Sequence, residues 1–137
     1  MIERISLLIG LPGSGKTTLA AKLAEGQADT LVLDDPMVPD QLRSALLQEG
    51  CRHLVVCDVN LCDETIRSGA RVLLTRACPD AVVEEIFFEN DVAACRANIG
   101  RRDDGRNVEG TLQRFAPIYT PPHGADIRPV YRPEIKV

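Results

Sequence analysis

Hydrophobic and polar positions alternate along this chain in blocks that change period from strand to helix. Residues 2–9 form a nearly continuous apolar run, the pattern of a central parallel strand buried on both faces. Leu19, Ala20, Leu23 and Ala24 then recur at helical spacing, with Gly26 marking the end of that helix. Thr30 to Leu33 predicts a short second strand that delivers Asp34 and Asp35 at its carboxyl end, before Pro36 stops the ladder. A second helix is expected from Asp40 through Leu42, Ala45, Leu46 and Leu47 to Gly50. His53 to Asp58 predicts a third strand, and a third helix begins near Asp63 with Ile66, Ala70, Leu73 and Leu74 on one stripe.

Ala81 to Phe88 reads as a fourth strand, although it holds Glu84 and Glu85 in its middle. Asp91 opens a helix that contains Arg96 and leads into the charged turn 101–106. A helix from about Val108 to Phe115 precedes a Pro-rich stretch, 117–124. Ile127 to Tyr131 could be a short fifth strand, which Pro129 restricts to an edge or an extended tail. Strands alternating with helices mean parallel βαβ units with right-handed crossovers. The expectation is an α/β domain in three layers: a parallel sheet of four or five strands with helices on both faces. Residues 1–137 read as a single domain, with a lid at about 91–106 and an extended tail at about 117–137.

Composition narrows the function classes. At 45% hydrophobic and 26% charged, the chain has the balance of a soluble globular protein. Aromatics make up only 4%, too few for stacking platforms that hold single-stranded nucleic acid. Residues 1–91 carry 8 basic and 15 acidic side chains, and residues 92–137 carry 8 basic and 5 acidic. An acidic protein with one locally basic segment cannot coat a duplex, but it can hold a few phosphates at one place. The five cysteines lack paired spacing and are expected to be reduced thiols. No apolar run nears twenty residues and no signal pattern leads the sequence, so a cytoplasmic location is expected.

Candidate chemistry begins at Gly10–Thr18, GLPGSGKTT, directly behind the first strand. Gly10, Gly15, Lys16 and Thr17 satisfy G-x-x-x-x-G-K-[ST] in a strand–turn–helix context, the P-loop of nucleoside-triphosphate-binding proteins. Gly13 and Gly15 let the backbone curl so that successive N–H groups face one concavity, and the helix N-terminus adds its positive dipole end. Pro12, Gly13, Ser14, Gly15, Lys16, Thr17 and Thr18 are therefore the expected nucleotide-binding residues, joined by Arg96. Lys16 would reach the β- and γ-phosphates, and the Thr17 hydroxyl would hold Mg²⁺. Asp58 closes a hydrophobic strand, as a Walker-B carboxylate does, and is the second expected Mg²⁺ residue; a cap on the next turn is the plainer role for it.

The Asp34/Asp35 pair separates a kinase from a plain NTPase. A phosphoryl acceptor hydroxyl needs a carboxylate to orient it and take its proton. Adjacent residues of an extended chain point to opposite sides, so only one should serve, and Asp34 is preferred, with Asp35 left to substrate binding. Asp-Asp-Pro also makes a good turn. Arginines of the lid, Arg101 foremost, can stabilise charge on the transferring phosphoryl group, with Gly100 and Gly105 as hinges; Asp103 and Asp104 could instead simply neutralise the arginine pair 101–102. Arg43 is a candidate grip on the acceptor. Asn60 is another, because it would face the same side as Asp58 if the strand continued.

These residues together resemble the P-loop kinases related to the kinase domain of phage polynucleotide 5′-kinase. The matching stretches are GLPGSGKTT at 10–18, LDDP at 33–36, DVNL at 58–61 and CRANIGRR at 95–102, including the spacing of Asn98 and Arg101. The resemblance spans residues 2 to about 116. It implies that Asp34 is the general base, that Lys16 and Arg101 contact the transferring phosphate, and that Thr17 and Asp58 manage Mg²⁺. Two arginines common in that group are replaced here by Leu33 and Met37. The expected activity is an ATP- and Mg²⁺-dependent kinase with an alcohol acceptor on a nucleic acid or nucleotide. A 5′-hydroxyl or a hydroxymethylpyrimidine of DNA are candidate positions. A small-metabolite kinase of the same fold, or a nucleotide-binding switch, are the alternatives.

Overall fold

The computed structural model describes residues 1–34, 44–47, 49–101 and 108–132. Asp35, Arg43 and the turn 102–107 lie outside the described residues, as does most of the expected second helix, of which residues 44–46 are helical. Five strands, β1 (Arg4–Ile9), β2 (Thr30–Asp34), β3 (His53–Cys57), β4 (Val82–Phe88) and β5 (Asp126–Arg128), form one sheet. Their order is β2-β3-β1-β4-β5, and every pairing is parallel. Among the described residues the longer helices are α1 (Lys16–Ala24), α2 (Glu64–Ala77), α3 (Val92–Arg101) and α4 (Glu109–Phe115).

The apolar run of β1 belongs to the middle strand, flanked by β3 and β4, so both faces are covered. Ile5, Leu7 and Ile9 join Leu54, Val56 and Phe87 on one face, packed with Leu74 of α2, Cys95 of α3 and Leu112 and Phe115 of α4. Leu8 takes the other face with Val55, Cys57 and Ile86, under Ala20, Leu19 and Leu23 of α1. This two-sided burial follows from the two-residue period of a strand.

Polar groups inside the sheet are satisfied locally. Ser6, fully buried, donates to Glu84 Oε1 at 2.5 Å and lies 2.8 Å from His53 Nε2. The single Ser6 proton goes to Glu84, so His53 donates to the hydroxyl. Burial and the charge of Arg4 lower the pKa of His53, which fits a neutral ring in this role. Glu85 faces the opposite side and meets Arg71 and Arg67, with Arg67 also stacked over Phe87. These partners explain how the paired glutamates enter an interior strand. A groove of about 710 Å³ at the amino end of the sheet is lined in part by Glu3 and Arg52, which pair with each other, and by Arg4, which reaches out to Glu84.

β3 ends at Cys57 and the strand does not continue. Residues Val59–Cys62 turn into a 3₁₀ helix, capped by Asp58. Asp58 Oδ1 accepts from both the backbone N–H and the Nδ2 of Asn60, each at 2.9 Å. The condition for placing Asn60 beside Asp58 on a strand is therefore not met, because a local side-chain bond to the backbone competes with the ladder. Arg67 donates to the Leu61 carbonyl at 2.9 Å and fixes this turn from α2. Asp63 caps α2 through the N–H groups of Thr65 and Ile66.

Candidate functional site

The carboxyl ends of β1, β2 and β3 bring the glycine-rich loop, Asp34 and Asp58 to one edge of the sheet, where ligands bind in open α/β folds. Gly13 adopts φ +82° and Gly15 φ +109°, conformations that a side chain would resist. Pro12 and Gly15 are half-buried, Gly13 and Ser14 are buried, and Thr17 and Thr18 are exposed at the start of α1. Lys16 is only 9% exposed, and its ammonium donates to the carbonyls of Gly10 at 2.6 Å and Leu11 at 3.0 Å. The cation is thereby held inside the curl of the loop. Ser14 Oγ is buried and has no hydrogen-bond partner among the described residues.

Thr17 Oγ1 donates to Asp34 Oδ2 at 3.3 Å, joining the hydroxyl expected to hold Mg²⁺ to the carboxylate expected to serve the acceptor. Asp34 is the last residue of β2, exposed, and in register with Cys57, whose successor is Asp58. Hydroxyl and carboxylate oxygens are the hard donors that Mg²⁺ takes. Among the described residues no group of three or more His, Cys, Asp and Glu side chains could hold a metal.

The segment expected to open as a lid at residue 91 begins as a docked helix. Cys95 is fully buried, and Asn98 Nδ2 donates to the Gly13 carbonyl at 2.9 Å. Gly100 falls within α3, so it is not a hinge in a loop. Arg101, at the end of α3, donates from Nη1 to Asn98 Oδ1 at 2.8 Å. Arg96 instead faces α4: Nη2 donates to Glu109 at 2.6 Å and Nε at 3.1 Å. That hydrogen bond raises the Arg96 pKa and holds the Glu109 carboxyl below its ordinary value. A nucleotide would have to compete with Glu109 for this guanidinium. Burial pushes the Cys62 thiol up to about 12 and the Cys95 thiol to about 11, so both stay protonated beneath the loop.

The carboxy-terminal tail contributes a wall that the sequence pattern does not reveal. Tyr131 N donates to the Ser14 carbonyl at 3.0 Å, and Arg132 pairs with Glu89 at 3.0 Å and with Asp91. Asp91 is held below its ordinary pKa first by the Ala94 N–H and then by Arg132. Tyr119, buried upstream, shares its one hydroxyl proton between the carbonyls of Ile9, at 3.1 Å, and Phe88, tying the ends of β1 and β4. A cavity of about 430 Å³ results, lined by Gly15, Thr18, Leu19, Phe88, Pro129 and Tyr131 among others. Its volume is that of a small-molecule site.

A Cβ on Gly13 would lie 2.5 Å from the Cys95 carbonyl oxygen, so Gly13→Ala should displace α3 as well as strain the loop. The backbone conformation alone costs about 1–2 kcal/mol. Gly26→Ala is the control, because Gly26 has φ +70° with nothing within 4 Å. Thermal melting should place Gly13→Ala several degrees below Gly26→Ala. Equal melting temperatures would mean that the α3 contact yields freely.

No known family profile matches the sequence. The chain is 25% identical over 138 residues to an uncharacterized protein of Acanthamoeba polyphaga mimivirus, covering 96% of this chain and all of that protein. Among solved structures it is similar to a gluconokinase from Sinorhizobium meliloti, with TM-score 0.62 and 17% identity over 96% of this chain and 84% of that one. It is also similar to a fungal RNA kinase, with TM-score 0.63 and 13% identity over 99% and 78% of the two chains. A third likeness is to Kti12 of Chaetomium thermophilum in complex with ADP-AlF3, with TM-score 0.56 and 18% identity over 92% and 88%. The chain thus shares with these structures an α/β fold built on a parallel five-stranded sheet with helices and a P-loop behind its first strand. Among the described residues no helix is long and apolar enough to cross a membrane.

Proposed function

We propose that the protein is an ATP- and Mg²⁺-dependent kinase that transfers the γ-phosphate to an alcohol of a nucleic acid or nucleotide. The observation that carries this reading is the 3.3 Å contact between Thr17 and Asp34. It sets a carboxylate capable of taking an acceptor proton beside the hydroxyl of the phosphate loop. A switch protein needs a positioned water and no acceptor base, and in it the same carboxylate would serve only Thr17 and the metal. Thr17 and Asp58 would hold Mg²⁺, which neutralises charge on the β- and γ-phosphates when bound.

Loop N–H groups and the α1 terminus seat the phosphates, Lys16 neutralises charge on the transferred group, and Asp34 orients the acceptor hydroxyl and accepts its proton. Arg101, carried at the end of α3, is the lid arginine for the transferring phosphoryl oxygens. The cavity between the loop and the tail suits the base and ribose of the donor. Support for a nucleic-acid acceptor comes from the resemblance at 33–36, 58–61 and 95–102 and from the RNA kinase among the structural neighbours. A small-metabolite acceptor is the second reading. It is favoured by the acidic balance of residues 1–91, by Leu33 and Met37 in place of arginines, and by the gluconokinase neighbour.

Labelled-ATP transfer against 5′-hydroxyl DNA and RNA, hydroxymethylated DNA, nucleosides, sugars and water alone separates these readings. Label on a nucleic acid or nucleoside, well above the water background, is the expected result. Label on sugars alone would select the metabolite kinase, and phosphate release to water alone would select the switch.

A further inference from the structure

Three parts of the site meet at one side-chain amide. Asn98 lies one turn beyond Cys95 on the face of α3 that rests on the phosphate loop. Its Nδ2 has two protons and two acceptors: the Gly13 carbonyl of the loop at 2.9 Å and the Tyr131 carbonyl of the tail at 2.5 Å. Its Oδ1 accepts from Arg101 Nη1 at 2.8 Å. The amide can sit only one way round. Reversing it would turn Oδ1 against two carbonyl oxygens and the NH₂ group against a guanidinium. Tyr131 is gripped from both ends of its peptide, its N–H on Ser14 and its carbonyl on Asn98, while its ring is half exposed along the 430 Å³ cavity.

We propose that Asn98 is a positioning residue that fastens the tail wall of this cavity to the phosphate loop and holds Arg101 on the loop side of α3. Occupancy of the cavity by a nucleoside and placement of the lid arginine are then coupled through a single amide. This rests on the reading of the loop as an ATP site, and wild-type binding of ADP tests that reading before any variant is made.

Two substitutions divide the roles. Asn98→Ala removes all three bonds, whereas Asn98→Asp turns both donated bonds into oxygen–oxygen repulsions against the Gly13 and Tyr131 carbonyls and keeps an acceptor for Arg101. By calorimetry with Mg²⁺, both variants should bind ADP about tenfold more weakly, with a smaller loss for pyrophosphate, which has no base to fill the cavity. In phosphate release from ATP, Asn98→Ala should lower kcat as much as Arg101→Ala does, with no further loss in the double variant. Asn98→Asp should keep most of kcat. The proposal is overturned by unchanged ADP affinity in both variants, by equal kcat losses in Ala and Asp, or by multiplicative effects of the Asn98 and Arg101 changes. Should the Asn98 variants melt below assay temperature, Tyr131→Ala retains every backbone bond and must still weaken ADP more than pyrophosphate. Equal effects there would also overturn it.

Discussion

Lys16→Ala is expected to lower phosphoryl transfer from ATP at least about 10³-fold while the protein stays folded. The ammonium is buried and held between two carbonyl oxygens at the mouth of β1, where water cannot screen it well. A charge fixed there before the reaction needs no reorganisation as negative charge shifts across the β- and γ-phosphates. Alanine removes the charge and most of the reach. The effect on stability should be small because two contributions oppose. The Gly10 and Leu11 carbonyls lose charge-assisted partners, worth about 1.5–3 kcal/mol, but the cost of keeping a cation buried disappears with them. Lys16→Met keeps the aliphatic stem and separates packing from charge. Initial transfer rates and melting curves for both variants decide the matter. Near wild-type turnover in either would remove Lys16 from the chemistry.

The phosphate loop was legible in the sequence because its demands are local. Positive φ at Gly13 and Gly15 and the strand and helix on either side are written in adjacent residues. The second demand on Gly13, close approach of the Cys95 carbonyl, depends on a helix more than eighty positions away and leaves no local trace. Strand existence followed from apolar runs, but the order β2-β3-β1-β4-β5 did not, since periodicity carries no information about neighbours. Where the two-residue period of the third strand stops could not be read from the pattern around Asn60. Asp58 and Asn60 satisfy one another locally and end the strand. The pairing of Arg96 with Glu109, on a different helix, likewise has no trace in the local sequence. The sequence shows a Pro-rich stretch at 117–124; that Tyr131 and Arg132 close the wall of a cavity depends on partners at Ser14, Glu89 and Asn98.

Asp34→Asn should abolish transfer to an alcohol acceptor, by about 10²–10⁴-fold, while ATP binds within a few-fold of the wild type. Asparagine keeps the size of the side chain and can still accept a bond from Thr17 Oγ1, so the edge of β2 should not move. What it loses is the ability to take a proton from an attacking hydroxyl. The Thr17 contact sets a second role against the first, because a carboxylate so placed could instead serve the hydroxyl proposed to bind Mg²⁺. The two roles give different signatures. If Asp34 acts on the acceptor, its loss leaves the Mg²⁺ dependence of ATP binding unchanged and lowers the rate at saturating nucleotide. If it acts through Thr17, more Mg²⁺ is needed for half-maximal binding, and Thr17→Ala and Asp34→Asn should fail to add. Asp35→Asn completes the set. Loss of transfer in that variant, with Asp34→Asn active, would move the base one residue along the chain. The same assays on 5′-hydroxyl RNA and on a sugar would then show whether the carboxylate serves both acceptors or only one. A base positioned for a nucleic-acid end should lose its effect on the poorer acceptor, whose hydroxyl never reaches it.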